Sequence, residues 1–542
     1  YNQKSFFWLF IFYIFSINPV QAQTFYETPH SQLITTPIQS STRIRVKKFI
    51  FKGNTVFSSQ QLQKIVAPYL NREISFDELL AARKDVTQFY IDKGYTTSGA
   101  FIPSNQFIQP QGAVVTIQII EGKLEDIKIS GDKHIRNYVR SKLHKVTSGV
   151  VNTNQLAKTL QLLQTDRLIE TISAQLSQGS HNGKSFLDVK VKARSPFRGE
   201  IFADNFRSPA IGSFQRGLQL TYDNLFGLGD SLSFGYRNTD GSNAFEVDYS
   251  VPITSDGASI QFGYTTVSSN VVQRPFDSLD IIGDARAYNL TFRQPLLLQI
   301  NENFISEFAV GITASRQESN SELLGTPFAL SRGADEAGRT RISALRFFQE
   351  WSTRGNKELV FARSQFSLGI GAFDATINDS PPDSRFFAWQ GQAAWLHSFG
   401  DASLLLRADL QLASRPLVPL EQFSLGGATS VRGYRQDTFL TDNGFLFSAE
   451  VRIPIVKQEA SGLQIIPFFD IGTTWNNDSP DELINTSGSG TLASVGLGLQ
   501  YQLGERFNAR LDWGIPLIPL DTPESNTWQE QGLYFSVRYQ PF

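Results

Sequence analysis

The residues with the clearest chemical character lie in one glycine-containing run, residues 426–434, which reads Gly-Gly-Ala-Thr-Ser-Val-Arg-Gly-Tyr. Glycine adopts backbone conformations that are closed to other residues, so this run predicts a sharply folded loop. Such a loop can present one cation, Arg432, and one aromatic ring, Tyr434. Because most arginines in long loops are solvated surface residues, the role of Arg432 depends on what lies opposite it.

Two strands that follow this loop supply an acidic residue for that position. Residues 445–455 alternate, with apolar side chains on one face and Glu450 and Arg452 on the other. Residues 463–475 alternate in the same way and place Asp470 with the polar set. A charged side chain that faces lipid costs about 2 to 4 kcal/mol at the bilayer midplane, whereas one that faces a barrel lumen is solvated or paired. The alternation therefore predicts that Asp470 faces the lumen of a membrane barrel.

Together the loop and the second strand resemble the conserved loop and partner strand of the TpsB transporters of two-partner secretion, in the BamA-like superfamily. The residues that carry the resemblance are Val431, Arg432, Gly433 and Tyr434, with Phe468, Asp470 and Gly472. The resemblance implies that the sixth extracellular loop, 414–442, folds back into the barrel and that Arg432 pairs with Asp470 there. On this interpretation we expect Arg432→Ala to lower secretion without preventing barrel assembly, and we expect Arg432→Asp combined with Asp470→Arg to restore part of the secretion if the two residues pair directly.

Other chemistry is poorly represented in the chain. There is no cysteine, which excludes disulfides, thiolate metal sites and thiol nucleophiles. Gly179 and Gly183 are separated by three residues rather than the four of a phosphate-binding loop, so this run predicts a hairpin turn. The histidines are scattered without ligand or catalytic spacing, at His30, His134, His144, His181 and His397. We therefore expect no enzyme activity, metal or cofactor, and the net charge of −2 does not favour a nucleic-acid partner.

The first 42 residues predict no folded domain. Lys4, an apolar run at 6–17 and small residues before position 23 are typical of a secretory signal peptide at 1–22. The alternative is a short membrane anchor, although the run is shorter than the roughly 20 residues that a spanning helix needs. Residues 23–42 have the composition of a linker. They show no helical period that would indicate the pore-plugging helix found in many TpsB proteins.

Residues 43–193 predict two α+β domains. The first, 43–122, reads strand, helix, helix, strand, strand, with the last pair at 95–107 and 113–122. Its second helix begins with a Ser75–Glu78 capping box. One helix face is predicted to carry Leu79, Leu80, Val86, Phe89 and Tyr90. The pattern recurs over 123–193, and both units resemble POTRA domains, which implies that they lie in the periplasm.

Residues 194–542 predict a transmembrane barrel. Past residue 22 no stretch is continuously apolar over a spanning length, whereas many segments of about ten residues alternate. Sixteen strands are predicted, an even number that suits antiparallel closure, with long extracellular loops at 316–337 and 414–442. They lie near 198–207, 213–225, 230–238, 243–252, 257–268, 285–295, 303–315, 338–350, 357–370, 384–398, 401–413, 443–455, 463–475, 490–502, 506–516 and 531–542. The charges predicted to face the lumen are Glu450, Arg452, Arg510 and Asp512.

The fold expected is therefore a membrane all-β protein, a sixteen-stranded antiparallel barrel preceded by two periplasmic POTRA domains. The resemblance implies an outer-membrane translocase that exports an unfolded exoprotein with an N-terminal two-partner secretion domain, without nucleotide hydrolysis. We expect capture at the strand edge around Ala100, Phe101 and Ile102, unless these residues only pack within their own domain. Outer-membrane lipid and the barrel-assembly machinery, which recognises a terminal aromatic such as Phe542, are further expected partners, and a monomer is expected. The alternatives are a barrel-assembly factor and, less favoured, a passive porin.

Overall fold

The computed structural model describes residues 43–104, 106, 111–301, 303–458, 460–477, 490–520 and 527–542. The predicted signal peptide, 1–22, and linker, 23–42, lie outside the described residues. The chain divides into two compact units, Tyr1–Arg194 and Ser195–Phe542. Among the described residues, no helix has the length and apolar character needed to cross a membrane.

The first unit opens with a mixed four-stranded sheet in the order β2-β1-β4-β3, covered by two helices. Its strands are β1 Ile44–Lys52, β2 Glu73–Ile74, β3 Gly99–Phe101 and β4 Gln111–Ile120, and its helices are Ser59–Val66 and Phe76–Asp92. Strands β1 and β4 run parallel. Alternate residues of both strands face the helices and, with Leu62, Val86 and Tyr90, form a fully buried core. Burial of this apolar face holds the helices on the sheet.

In this domain one local prediction is correct and two need correction. The helix Phe76–Asp92 has the predicted capping box, in which Ser75 and Glu78 bond each other's backbone amides. However, Leu80 is 37% exposed, because the buried stripe contains Ala82 instead. Among the described residues of the strand predicted at 95–107, only Gly99–Phe101 form a strand, β3, and the chain turns just before this range at Gly94, where φ is +86°.

The second sheet of this unit has three strands in the order β5-β7-β6. The elements are β5 Lys123–Gly131, the helices Arg136–Thr147 and Thr153–Gln164, β6 Ile169–Gln178 and β7 Lys184–Ala193. Strand β5 is parallel to β7, as β1 is to β4 in the first sheet. Leu143, Leu163 and Val189 are among its buried core residues. Gly183, with φ +79°, lies in the turn of the β6–β7 hairpin.

The second unit is a closed antiparallel barrel. Over the described part of the chain it has sixteen long strands and one two-residue strand, β15. The strands are β8 Phe197–Asp204, β9 Gln215–Asp223, β10 Ser231–Asn238, β11 Ser242–Pro252, β12 Ser259–Asn270, β13 Ile282–Ile300, β14 Phe304–Leu323, β15 Thr326–Pro327, β16 Arg339–Gly355, β17 Glu358–Ile370, β18 Phe387–Phe399, β19 Ala402–Ala413, β22 Asn443–Lys457, β23 Ser461–Trp475, β24 Gly490–Leu503, β25 Phe507–Pro516 and β26 Leu533–Tyr539. Between β19 and β22 lie the short strands β20 Phe423–Leu425 and β21 Phe439–Thr441. Strand β26 pairs with β8 and closes the barrel.

The loop predicted at 316–337 begins later than expected, after β14 ends at Leu323, because β13 and β14 remain paired as far as Ile282 and Glu322. The apolar alternation ends earlier than the pairing does. Polar residues can continue a hairpin ladder beyond the apolar band, since solvent satisfies both of their faces. Strand β14 therefore includes residues whose composition predicts a loop.

Alternation along the strands separates the inner and outer barrel faces. In β22, Phe445 is 38% exposed on the outer face, whereas Ser448 and Glu450 are buried on the inner face. In β25, Leu511 and Trp513 face outward and Asp512 faces inward. An apolar exterior around a polar interior is the pattern of a membrane-spanning barrel.

Candidate functional site

The candidate site is formed by the loop 414–442, which turns inward between β19 and β22. Strands β20 and β21 pair with each other and form the stem of this loop. Gly433 has φ +96°, and a Cβ added there would lie 3.1 Å from the carbonyl oxygen of Gly514 in β25. Glycine is therefore required at position 433, both for its backbone conformation and for its close approach to the barrel wall.

The guanidinium group of Arg432 bonds both carboxylate oxygens of Asp470. Its Nε donates to Asp470 Oδ2 at 2.7 Å and its Nη2 to Oδ1 at 2.8 Å. The backbone N–H of Arg432 also donates to Oδ2, at 3.2 Å. The Arg432 side chain is 1% exposed and that of Asp470 is fully buried. This paired fork fixes both the position and the orientation of the loop, as expected for a bidentate arginine–carboxylate pair.

Further acids surround the same guanidinium group. Nη1 of Arg432 donates to Glu450 Oε1 at 2.8 Å and lies 3.7 Å from Asp512 Oδ2. Arg510 bonds both of these acids, with Nη2 at 2.9 Å from Glu450 and Nε at 2.8 Å from Asp512. Arg452 is 3.3 Å from Glu450. Arg432 therefore enters a network of paired charges on β22, β23 and β25, which compensates the burial of each charge.

The flanking residues of β23 have separate physical roles. The Arg432 guanidinium stacks on the ring of Phe468, 3.4 Å from its centroid. A Cβ at Gly472 would lie 2.5 Å from a methyl group of Leu425 in the loop stem and 2.9 Å from the Phe445 carbonyl oxygen. Phe468 therefore supplies a face for the cation, and Gly472 leaves room for the stem.

The other loop residues bond the loop to the last strands of the barrel and the segment between them. Val431 and Tyr434 are buried in an apolar cluster. The Tyr434 hydroxyl lies 2.9 Å from the carbonyl oxygens of both Ala493 and Ile518. The Tyr534 hydroxyl, from β26, donates to the Tyr434 carbonyl and accepts from the Gly433 N–H at 3.2 Å. The loop is thus bonded to the last barrel strand as well as to β23.

The structure brings the sequence-derived site residues into one network. It places Val431, Arg432, Gly433 and Tyr434 against Phe468, Asp470, Gly472, Glu450, Arg452, Arg510 and Asp512. Sequence reasoning did not identify the direct bond from Arg432 to Glu450 or the contribution of Tyr534. Tyr534 could have been found from parity, since it alternates with the outward-facing Leu533 and Phe535 and is 1% exposed.

The predicted capture residues lie at the other candidate site, the edge of the first sheet. Within the described residues β3 ends the strand order. Ala100 is buried and its N–H donates to Thr87 Oγ1 at 3.1 Å, so this amide is already bonded. Phe101 is 41% exposed, whereas Ile102 packs on the core. The structure therefore separates these three residues, with Phe101 exposed to solvent.

A carboxylate fixes the end of the adjacent strand. Glu121 accepts the backbone N–H groups of Thr55 and Val56, at 2.8 and 2.9 Å, and the hydroxyls of Thr55 and Tyr90. Burial acts to raise the pKa of Glu121, but these hydrogen bonds outweigh it and lower the pKa. Burial, and then the bond to Glu121, raises the pKa of Tyr90. Glu121 is thus held as a carboxylate that joins β4 to the loop after β1.

Comparison with known proteins assigns the family. A model of the haemolysin secretion/activation proteins ShlB/FhaC/HecB matches residues 183–501, and a model of the ShlB-type POTRA domain matches residues 44–122. The chain belongs to the ShlB/FhaC/HecB family. It is 23% identical to the outer membrane transporter CdiB of Dickeya dadantii (strain 3937), over 85% of this chain and 82% of that protein. It is 22% identical to the hemolysin transporter protein ShlB of Serratia marcescens, over 75% and 72%.

Solved structures have the same fold. The CdiB structure from Escherichia coli has a TM-score of 0.69 at 20% identity and covers 94% of this chain and 93% of its own. BamA from Haemophilus ducreyi lacking POTRA domains 1–3 has a TM-score of 0.55 at 13% identity, over 92% and 100%. The sequence-based prediction of the family and of a sixteen-stranded barrel is confirmed. This ShlB/FhaC/HecB protein is an outer-membrane transporter of two-partner secretion with its POTRA domains in the periplasm, and it acts with a secreted exoprotein.

Proposed function

We propose that this transporter captures its unfolded exoprotein at the POTRA edge and passes it through the barrel, with the 414–442 loop controlling the lumen. The exoprotein carries an N-terminal two-partner secretion domain. The observation that carries the proposal is the buried bidentate pair between Arg432 and Asp470. Long loops are usually mobile, and this pair holds the loop in one position inside the barrel. The reaction is transport alone, without catalysis, cofactor or nucleotide hydrolysis.

The proposed domain boundaries are 43–122 and 123–193 for two POTRA domains and 194–542 for the barrel, after a signal peptide at 1–22 and a linker at 23–42. The parallel pairing of first and last strands in both sheets supports the second POTRA domain. We further propose contact with outer-membrane lipid through the apolar outer face, insertion by the barrel-assembly machinery, and a monomeric state.

Capture is proposed at a groove between β3 and the helix Phe76–Asp92. Leu80, Thr87 and Ile91 are spaced so that they share one stripe of this helix. Thr87 contacts β3, and Leu80 and Ile91 are 37% and 38% exposed on either side of it. An extended peptide can bury its apolar side chains there and bond the backbone of the sheet edge. The amide of Ala100 does not take part, because Thr87 already accepts from it.

Leu80→Glu tests the groove, with Ile50→Glu as its matched control. Ile50 lies on the opposite face of the same sheet and is 36% exposed, so the two variants add the same charge at equal exposure. We expect Leu80→Glu to lower the amount of exoprotein in the medium severalfold and Ile50→Glu to leave it unchanged. Equal secretion by the two variants would contradict capture at this groove. Deletion of 43–193 is expected to abolish export while leaving a folded barrel.

A barrel-assembly factor is the alternative within the superfamily, and the likeness to BamA supports only the shared fold. The two functions differ in what depletion affects. Loss of an assembly factor lowers the amounts of other outer-membrane barrels, whereas loss of a secretion transporter lowers only its exported partner. We expect the second result, measured by quantitative proteomics of outer membranes and medium.

A further inference from the structure

A second buried ion pair joins the 414–442 loop to a different part of the barrel wall. Glu421 accepts from Arg346 of β16, with Nη2 2.6 Å from Oε1 and Nη1 3.0 Å from Oε2. Both side chains are 6% exposed. Gln317 of β14 donates to the same carboxylate at 3.2 Å. Two parallel bonds to a carboxylate make this a directional contact, comparable in form to that of Arg432.

The two ion pairs are far apart around the wall. In the barrel order, β16 is followed by β17, β18, β19, β22 and then β23, which carries Asp470. Five steps between neighbouring strands correspond to roughly 24 Å of circumference. The loop residues Glu421 and Arg432 are only eleven positions apart in the chain. The loop therefore crosses the lumen between two fixed points.

We propose that Glu421 is a positioning residue that latches the loop to β16 and thereby narrows the pore on that side. Without the latch, the Arg432 network still holds the loop on the β22–β26 side. Leu417 and Val418, just before the latch, pack against Ile342 and Phe386 and are each 1% exposed. Separation of Glu421 from Arg346 would leave this apolar contact to hold that part of the loop on the β16 wall, while Arg432 stays bound.

The groups bonded to Glu421 and Arg346 favour a reversible separation of these two charges. Besides Glu421, Arg346 bonds only neutral groups among its described contacts, the hydroxyls of Ser315 at 3.2 Å and Ser367 at 3.1 Å. On the Glu421 side the described neighbour is the Gln317 amide. Two ions that separate into a water-filled lumen regain hydration, so the opening costs less than dispersing a cluster of several charges. These hydroxyl and amide neighbours can bond either charge, which favours an exchange of the two charges.

The test is channel recording of the full-length protein in planar lipid bilayers. We expect Glu421→Ala and Arg346→Ala each to raise the open-to-closed ratio about tenfold, equal to about 1.4 kcal/mol. Glu307→Ala is the matched control, because Glu307 is a lumen acid paired with Arg293 and has no described bond to the loop. The exchange of Glu421→Arg with Arg346→Glu should return the ratio to within about twofold of the parent value.

Folding of each variant is checked by its heat-modifiable mobility on gels. If Glu421→Ala does not assemble, Glu421→Gln should still raise the ratio, by about threefold, since an amide keeps one of the two bonds. A ratio equal to that of Glu307→Ala, or an assembled exchange variant that stays open, would overturn the latch. This inference rests on the proposed function only for its role in export. If the variants change gating but not secretion, the latch is supported and the proposed control of export by the loop is refuted. If they change secretion but not gating, the latch alone is refuted.

Discussion

The fork between Arg432 and Asp470 predicts a specific non-additivity between two substitutions. Arg432→Ala removes both guanidinium bonds from Asp470, a carboxylate that is fully buried. Asp470 keeps the Ser448 hydroxyl at 2.6 Å, which cannot balance its charge. Removing one partner of a buried ion pair costs about 3–5 kcal/mol, chiefly because the other charge stays buried. We expect Arg432→Ala to destabilise the docked loop by this amount.

Asp470→Asn acts differently, because Arg432 still has another acid. Its bond to Glu450 at 2.8 Å remains, and an asparagine oxygen can accept one of the two lost bonds. The expected cost is about 1.5–3 kcal/mol, the range for a hydrogen bond to a charged group. In the double variant neither Arg432 nor the Asp470 charge is present. We therefore expect the double variant to be no less stable than Arg432→Ala alone.

The assay is a double-mutant cycle on purified protein in detergent. Urea titration, with folded and unfolded forms separated by gel mobility, gives the unfolding free energy of the barrel for the four proteins. Secretion of the exoprotein, measured in parallel, reports function. If the two single effects add to within about 0.5 kcal/mol in the double variant, the two residues are not directly coupled and the reasoning fails.

Three further predictions follow from the same contacts. The structure changes the expected outcome of exchanging Arg432→Asp with Asp470→Arg: the sequence predicts partial rescue of secretion, but an aspartate at 432 would face the acid Glu450, so the exchange should restore little; recovery to half of the parent secretion would contradict this. Gly472→Ala should cost about 1–3 kcal/mol of unfolding free energy by pushing the stem away, whereas Gly462→Ala, whose Cβ meets only an oxygen at 3.8 Å, should match the parent in the same urea titration. Glu121→Gln should lower the midpoint of helix unfolding, followed by circular dichroism, at pH 7, and the parent should lose this advantage progressively as the pH falls below about 4.3, because the folded-state pKa of Glu121 is lowered and its stabilisation, complete above the unfolded-state pKa, disappears as the pH falls through the folded-state pKa. A midpoint that differs equally at pH 7 and pH 3 would exclude Glu121 as the titrating group.

The barrel and the acid opposite Arg432 could be predicted because both depend on a period of two. Alternation assigns a side to every residue of a strand, so Asp470 was placed in the lumen without knowledge of its partner. Strand ends were less predictable. Pairing in β13 and β14 continues through polar residues, and in that region the composition no longer distinguishes a strand from a loop.

The partners of loop residues could not be found from alternation alone. Glu421 and Arg346 are 75 positions apart, and neither belongs to a motif. Alternation along β16 places Arg346 inside the barrel. It does not determine the path of the 414–442 loop, so it cannot predict the distance between Arg346 and Glu421. The bond from Arg432 to Glu450 was missed for a related reason. Register sets Glu450 opposite Phe468, so both reach the guanidinium that stacks on that ring, and only the paired strands reveal this.

The presence of buried charge beside the apolar packing of this loop has a physical reason. Buried ion pairs contribute little net stability compared with apolar contacts of the same volume, but they penalise every arrangement that leaves one charge unpaired. A loop in a polar lumen needs such a penalty, because an apolar contact would tolerate shifts along the wall. Arg432 can satisfy Asp470 and Glu450 together in one register only, since the two acids lie on adjacent strands. The charges thus specify where the loop sits, and water in the lumen keeps the separated state accessible.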